Sequence, residues 1–249
     1  MPRALRFLLA GVALVAALVT LAWFDVLPGG WTLRGLVEPH HVREAREQRQ
    51  RSDARLALFA AENAGLPADT VVFLGSSTIE RFALDEAFPG KLCVNRGIGN
   101  ETAVELFERI PASLPAAEPA AFVLYAGSLD FRRERKPAEV VVERVARCVR
   151  RLRELTTEGV PVTLIGLLPE RDMDFELRGL LERTNVALSN WAARSGIGFV
   201  ATDRPPLRTA TGSLAESYSA DRLHLNAAGY EVLAQWLLAD HPVANHLRD

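Results

Sequence analysis

Five short, almost uninterrupted apolar segments constrain the fold of this chain more than any other feature. They lie at Val71–Leu74, Leu92–Asn95, Ala121–Tyr125, Val162–Gly166 and Gly198–Ala201. Apolar residues that follow one another without alternating polar positions are typical of strands buried on both faces of a parallel sheet. Helical patterns lie between or after them, at Thr102–Ile110, Pro137–Thr157, Glu176–Ser195 and Asn226–Ala239. The order of these segments predicts an α/β fold, a three-layer αβα sandwich around a five-stranded parallel sheet.

The amino-terminal segment is an uncharged apolar run from Phe7 to Phe24. Its 18 residues would rise about 27 Å as a helix, close to the roughly 30 Å hydrocarbon core of a bilayer. Arg3 and Arg6 precede the run, which predicts a cytoplasmic amino end. We expect a transmembrane signal anchor at residues 7–24 after a cytoplasmic tail at 1–6, in preference to a cleaved signal peptide. The rest of the chain would then lie outside the cytoplasmic membrane, in the periplasm of a Gram-negative cell.

The segment from residue 25 to residue 66 differs in composition from what precedes and follows it. Leu27-Pro28-Gly29-Gly30 predicts a short hinge. From Val37 to Asn63 the sequence is charged, rich in alanine and free of glycine, and we expect a helical stalk there. The second half of this helix, around Phe59, is apolar enough to pack on a globular domain that we place at residues 67–249.

The bulk composition limits the classes of protein to consider. The chain has 249 residues, 49% of them hydrophobic, which suits one well-buried domain with appendages. The formal net charge of −2 gives no sign of a nucleic-acid partner. Two cysteines do not make a disulfide scaffold, and no Cys/His cluster has the spacing of a zinc site, so we expect no metal.

Four polar, turn-rich segments adjoin the predicted strands or the last helix. They are residues 75–77, 95–102, 126–130 and 221–226. In an open α/β sheet, ligands bind at the carboxyl ends of the strands, so we expect these segments to meet at one edge. Gly75-Ser76-Ser77 follows the first strand directly and carries the candidate nucleophile.

Asp221 and His224 offer a base and its partner for that serine. They are three residues apart, on one face of a turn. A serine hydroxyl needs a base within hydrogen-bond reach, and a carboxylate on the other imidazole nitrogen fixes the tautomer. The alternative is that Asp221 merely caps the last helix and His224 is incidental. The sequence has no Gly-X-Ser-X-Gly elbow, which disfavours an α/β-hydrolase.

Taken in order, these segments resemble the SGNH (GDSL-type) hydrolases over roughly residues 67–240. Gly75-Ser76-Ser77 resembles the first block of that family, Asn95 to Thr102 the second, and Asp221 to Tyr230 the last. The resemblance implies a flavodoxin-like sandwich and an esterase without a cofactor. It also implies Ser77 as nucleophile, His224 as base, Asp221 as its partner, and the N–H groups of Ser77 and Asn100 as the oxyanion hole.

Two positions depart from the family pattern. Asn100 stands where the family has its oxyanion glycine; asparagine keeps the N–H and tolerates left-handed backbone better than most residues. Leu129 stands where the third block has an asparagine whose amide donates to the oxyanion. Loss of one such donor costs on the order of 10²–10³ in rate in a studied protease. The amide of Asn100 and the hydroxyl of Ser128 are the nearest replacements.

Basic residues near the predicted site raise the question of an anionic substrate. The run from Arg132 to Lys136 follows the third polar segment and could reach an anionic group, but we favour a solvated loop for it. We expect Arg96 and Ser128 to be substrate contacts. The sequence favours a membrane-anchored serine esterase acting on an O-acyl ester, such as one of a cell-envelope glycan or lipid. An O-acyltransferase with the same triad, or a non-catalytic scaffold on a degraded fold, are the alternatives.

Overall fold

The structure, a computed structural model, describes residues 2–23, 38–239 and 241–248. By its internal contacts the chain divides into two compact units, Met1–Asp53 and Ala54–Asp249. The predicted hinge at residues 27–30 lies outside the described residues.

The first unit contains an amino-terminal apolar helix. This helix, α1, spans Arg3–Trp23. Its segment Arg3–Leu21 has a mean hydropathy of 2.3, and none of it is buried within the described residues. By length and composition it can cross a membrane, and a signal sequence at this position meets the same two criteria. Helix α2, His40–Asn63, begins in this unit, where Arg46 pairs with Glu38 at 3.1 Å.

The second unit includes the end of α2, because Phe59 on that helix buries its ring. The guanidinium groups of Arg55 and Arg96 lie over this ring, 5.0 and 4.7 Å from its centroid. Arg55 also donates to the backbone oxygens of Asn95 and Gly97. The globular unit therefore starts at Ala54, ahead of the predicted boundary at residue 67.

A five-stranded sheet forms the centre of the second unit. Its strands are β1 Val71–Gly75, β2 Cys93–Gly97, β3 Ala121–Tyr125, β4 Val162–Ile165 and β5 Gly198–Val200. All neighbours are parallel, in the order β2-β1-β3-β4-β5. The predicted parallel sheet is confirmed, and each strand lies within two residues of its predicted bounds.

Helices lie between the strands, and two further helices and a 3₁₀ turn follow the last strand. The longer helices are α5 Ala103–Ser113, α7 Ala138–Leu155, α8 Phe175–Arg194 and α9 Ala227–Leu237. Four short helices are α3 Ser77–Glu80, α4 Leu84–Ala87, α6 Ser128–Arg132 and α10 Ala244–Leu247. The 3₁₀ turn is Glu216–Tyr218. Thr102 starts α5 with a reciprocal capping box to Glu105, which fixes where the second polar segment ends.

Both faces of the sheet are covered, as continuous apolar strands require. On one face, Val72 and Leu74 of β1 pack with the apolar sides of α5, α7 and α8. On the other face, Val71 and Phe73 pack with residues of α9, α10 and the region around α3 and α4. Because successive strand side chains point to opposite faces, both cores need apolar residues, and the αβα sandwich follows.

Candidate active site

The turn after β1 is shaped by Gly75. Its φ is +155°, and a Cβ added there would lie 2.3 Å from the carbonyl oxygen of Tyr125. Only glycine fits so close an approach to β3. The chain then turns through Ser76 into α3, whose first residue is Ser77. The candidate nucleophile is therefore held at the carboxyl end of a central strand.

His224 lies between Ser77 and Asp221. Its Nε2 is 3.1 Å from Ser77 Oγ, and its Nδ1 is 2.8 Å from Asp221 Oδ2. An ionised carboxylate can only accept, so Nδ1 carries the proton and Nε2 is left to accept one from the serine hydroxyl. The structure thus brings the three side chains together in one continuous hydrogen-bonded chain.

The Asp221 carboxylate has further hydrogen bonds that hold it in place. Its Oδ1 accepts from the backbone N–H groups of Leu223, at 2.7 Å, and His224, at 2.8 Å. Partial burial acts to raise the pKa of Asp221, but the bonds from the His224 ring and from these two N–H groups outweigh it. The pKa therefore lies well below its usual range, and the group is charged at neutral pH.

The cap of the last helix is a different residue. Asn226 Oδ1 accepts from the N–H of Gly229 at 3.0 Å, at the start of α9. Asp221 is therefore not the cap of this helix. Its two carboxylate oxygens accept hydrogen bonds from the Leu223 N–H and from the His224 ring.

The second polar segment lies directly against the nucleophile. A Cβ added to Gly99 would lie 3.5 Å from the Cβ of Ser77, and the Gly99 N–H donates to Glu80 Oε2 at 2.9 Å. The next residue, Asn100, has φ +63°, the left-handed conformation that asparagine tolerates. Asparagine at position 100 can therefore adopt the left-handed backbone conformation that glycine adopts readily.

A buried ion pair, Glu101–Arg109, joins this segment to the β1 turn. Arg109 Nε donates to Glu101 Oε2 at 2.7 Å, and its Nη2 donates to the carbonyl oxygen of Gly75 at 3.1 Å. Burial acts to lower the pKa of Arg109, and Glu101 opposes that shift. Sequence reasoning missed this pair, because neither residue has a local pattern that separates it from an ordinary helix-surface charge.

The third polar segment meets the first through two hydroxyls. Ser128 Oγ lies 3.3 Å from Ser76 Oγ. Leu129 is buried, and the neighbouring Asp130 is fully buried, where its Oδ2 accepts from the Ala103 N–H at 2.8 Å. Asp130 thus ties the start of α6 to the start of α5, a structural contact that the sequence analysis did not identify.

Arg96 is placed away from the candidate nucleophile. Its side chain is 1% exposed, and its guanidinium contacts Glu62 Oε2 at 2.5 Å and Asn63 Oδ1 at 3.0 Å. A third bond goes to the carbonyl oxygen of Ser113. These contacts give Arg96 a structural role under α2, and they correct the expectation that it contacts substrate.

A cavity of about 590 Å³ lies beside the triad, between α4 and α9. Phe82, Leu225 and Tyr230 form part of its wall, and Arg81 at its edge lies 3.7 Å from Asp221. None of the three triad side chains lines it. Within the described residues, no group of three His, Cys, Asp or Glu side chains is arranged to hold a metal ion.

Comparisons with known proteins cover the segments that form this site. The model of the GDSL-like lipase/acylhydrolase family matches residues 75–232, more than half of the chain and a range that includes all three triad positions. None of the curated proteins matches the chain significantly.

Three solved structures illustrate the shared fold. A Streptococcus pneumonia protein described as a proposed platelet activating factor is 22% identical, with a TM-score of 0.64 over 79% of this chain and 96% of that one. A GDSL-like lipase from Bacteroides thetaiotaomicron is 19% identical, with a TM-score of 0.60 over 73% and 94%. An acetyl-xylooligosaccharide esterase from Geobacillus is 17% identical, with a TM-score of 0.52 over 71% and 94%.

Proposed function

This chain belongs to the GDSL-like lipase/acylhydrolase family, and we propose that it is a serine ester hydrolase working through Ser77, His224 and Asp221. The observation that carries the proposal is the continuous chain of contacts at 3.1 and 2.8 Å from nucleophile to base to carboxylate. Nucleophile and base within hydrogen-bond reach, with the base oriented by a third group, is the arrangement that activates a serine.

Acylation starts when Ser77 Oγ attacks the ester carbonyl carbon and His224 Nε2 takes the hydroxyl proton. Asp221 stabilises the imidazolium that forms, and its depressed pKa keeps it ionised for that task. Collapse of the tetrahedral intermediate breaks the ester C–O bond. His224 then gives its proton to the departing alkoxide, and the acyl group stays on Ser77.

The oxyanion hole consists of the backbone N–H groups of Ser77 and Asn100. Ser77 is the first residue of α3, so its N–H has no acceptor within the helix. The support for Asn100 is that it directly follows Gly99, where an added Cβ would lie 3.5 Å from the Cβ of Ser77. Water then attacks the acyl carbonyl with His224 as base, and the products are a carboxylic acid, an alcohol and the free serine.

The test compares wild type with Ser77→Ala and with the matched variant Ser76→Ala. Ser76 is the adjacent serine, and its hydroxyl contacts Ser128 instead of a base. We expect wild type and Ser76→Ala to react with a fluorophosphonate probe and to hydrolyse p-nitrophenyl acetate. Ser77→Ala is expected to do neither, with a loss of at least about a thousandfold. Equal activity in Ser77→Ala and wild type, or no labelling of wild type, would refute the proposal.

We propose further that residues 7–24 anchor the enzyme in the cytoplasmic membrane, with residues 1–6 in the cytoplasm and the hydrolase domain outside. The support is the apolar helix α1 and the basic residues Arg3 and Arg6 before it. In this arrangement residues 25–66 link the anchor to the predicted hydrolase domain at 67–249, and the last part of the link, from Ala54 onward, belongs to the same compact unit as that domain.

Cell fractionation tests the anchor. Full-length protein should stay in the membrane pellet after carbonate washing, and a variant lacking residues 7–24 should not. Protease added to spheroplasts should digest the hydrolase domain. If expression of the full-length sequence gave a soluble protein of reduced mass, the segment would instead be a cleaved signal peptide.

A further inference from the structure

Within the described residues, one cation of the basic run after the third polar segment faces no carboxylate at ion-pairing distance. The other basic side chains of the run do: Arg132–Glu170 at 3.5 Å, Arg135–Asp174 at 3.5 Å and Lys136–Glu134 at 3.9 Å. The exception is Arg133, which donates from Nη1 to the neutral amide oxygen of Asn100, at 3.2 Å.

This contact places Arg133 at the rim of the candidate active site. Asn100 directly follows Gly99, where an added Cβ would lie 3.5 Å from the Cβ of Ser77. The hydrogen-bond partner of the guanidinium is therefore the chain neighbour of a residue that lies close to the candidate nucleophile. The hydrogen bond between Arg133 and Asn100 is exposed to solvent, so a substrate can reach it.

The backbone of Arg133 is fixed by the short helix that precedes it. Its N–H donates to the carbonyl oxygen of Leu129 at 2.9 Å, and α6 begins at Ser128, whose hydroxyl contacts Ser76. The base of the side chain thus belongs to the same rigid loop cluster as the nucleophile. A charge held on such a frame loses less conformational entropy on binding than one at the end of a free loop.

The chemistry of the free donors indicates the ligand. A guanidinium carries five N–H donors in a planar fork, and Asn100 uses one of them. The remaining donors match the paired oxygens of a carboxylate or a phosphate. Because its partner is a neutral amide, Arg133 keeps its full positive charge. The neighbouring basic residues each face a carboxylate, which partly neutralises their charge.

We propose that Arg133 is a specificity-determining residue that binds a negatively charged group, a carboxylate or a phosphate, on the ester held at Ser77. The substrate class is therefore an anionic O-acyl ester. The reaction at such an ester rests on the proposed function, but the binding of the anion by Arg133 does not.

The kinetic test uses one neutral and three anionic acyl esters. Phenyl acetate is the reference; 4-acetoxybenzoate and 4-acetoxyphenyl phosphate carry the charge on the leaving alcohol, and monophenyl succinate carries it on the acyl group. For at least one anionic ester, the ratio of its kcat/KM to that of phenyl acetate should fall about tenfold in Arg133→Gln. Arg133→Lys should restore part of the ratio. The ester that responds identifies the side and the kind of anion.

The matched control is Arg135→Gln, which removes the same charge from the same run but from a side chain that already faces Asp174. The control should leave the ratio within twofold of wild type. Added salt should lower the ratio in wild type and much less in Arg133→Gln, because salt screens exposed charges. A ratio unchanged by Arg133→Gln for all three anions, or lowered equally by Arg135→Gln, would overturn the proposal.

A binding measurement separates this inference from the proposed reaction. In the Ser77→Ala background, the Kd of each anionic ester is measured by calorimetry with and without Arg133→Gln. A rise of about tenfold with Arg133→Gln supports anion binding even where wild type hydrolyses nothing. Equal Kd values with and without Arg133 reject anion binding even where wild type is an active esterase.

Discussion

The sharpest test of the site's chemistry is Asp221→Asn, which preserves shape and removes charge. An asparagine can still accept the N–H groups of Leu223 and His224 through its oxygen. Its amide nitrogen then faces His224 Nδ1, where Asp221 Oδ2 now lies at 2.8 Å. Two donors cannot face each other, so the imidazole takes the tautomer with its proton on Nε2. That nitrogen can no longer accept the proton of Ser77.

The size of the effect follows from the distance and the exposure. At 2.8 Å, two unit charges attract by about 1.5 kcal/mol in bulk water and by about 6 kcal/mol at an effective dielectric constant of 20. The Asp221 side chain is 49% exposed, so a value near the middle, about 3 kcal/mol, is appropriate. Loss of that stabilisation of the imidazolium corresponds to a fall of about a hundredfold in kcat/KM.

The assay is kcat/KM for p-nitrophenyl acetate at pH 7, with circular dichroism to confirm that the fold is retained. Asp172→Asn is the matched control, because this exposed aspartate pairs with Arg222 in the adjacent loops and does not touch His224. The control should stay within twofold of wild type. A loss below about fivefold in a folded Asp221→Asn protein would refute the reasoning, since His224 would then not depend on the carboxylate.

The depressed pKa of Asp221 also predicts how stability and activity depend on pH. A carboxyl group whose pKa is lower in the folded than in the unfolded state stabilises the fold above its unfolded value of about 3.9. That stabilisation is lost as the pH falls through the folded value. Any decrease in kcat/KM between pH 7 and about 4 must therefore come from another group, and Asp221 should not contribute to it.

Three further variants test the frame that holds the site, each by urea denaturation. Arg109→Met should lower the free energy of unfolding by about 3–5 kcal/mol, because it removes the cation that pairs with the buried Glu101 carboxylate, and adding Glu101→Leu should recover part of the loss. Additive losses in the double variant would contradict this. Asn100→Val should cost about 1–2 kcal/mol at φ +63°, whereas Asn100→Gly should keep wild-type stability; equal costs would exclude backbone strain. Phe59→Ala should cost about 3–5 kcal/mol, and a loss below 1 kcal/mol would mean that α2 does not hold the domain.

The sheet could be predicted closely because its signal is local. Continuous apolar runs such as Ala121–Tyr125 mark doubly buried strands without reference to the rest of the chain. The meeting of Ser77 with His224 followed from the order of the loops and the rule that strand ends share one edge. The short helices α3, α4, α6 and α10 were not predicted, since four or five residues are too few to show a helical period.

The predictions that failed concern features that depend on contacts between segments distant in the sequence. Arg96 was expected at the site because it lies within the second polar segment. Its side chain instead packs against α2, where it contacts Glu62 and Phe59. Both residues lie more than thirty positions earlier in the sequence. The helical pattern predicted an end at Ile110, yet α5 continues through Pro111 to Ser113. A proline in the last turn removes a single hydrogen bond of the helix, and packing compensates for it.

The packing of α2 on β2 has a practical consequence for the preparation of a shortened form of this protein. A truncation at residue 67, where the sequence alone places the domain boundary, would remove Phe59, Glu62 and Asn63 together. The Arg96 guanidinium, now 1% exposed, would lose its carboxylate and its aromatic cover at one edge of the sheet. A shortened chain should therefore begin no later than Ala54, so that the apolar helix α1 is removed and the end of α2 is kept.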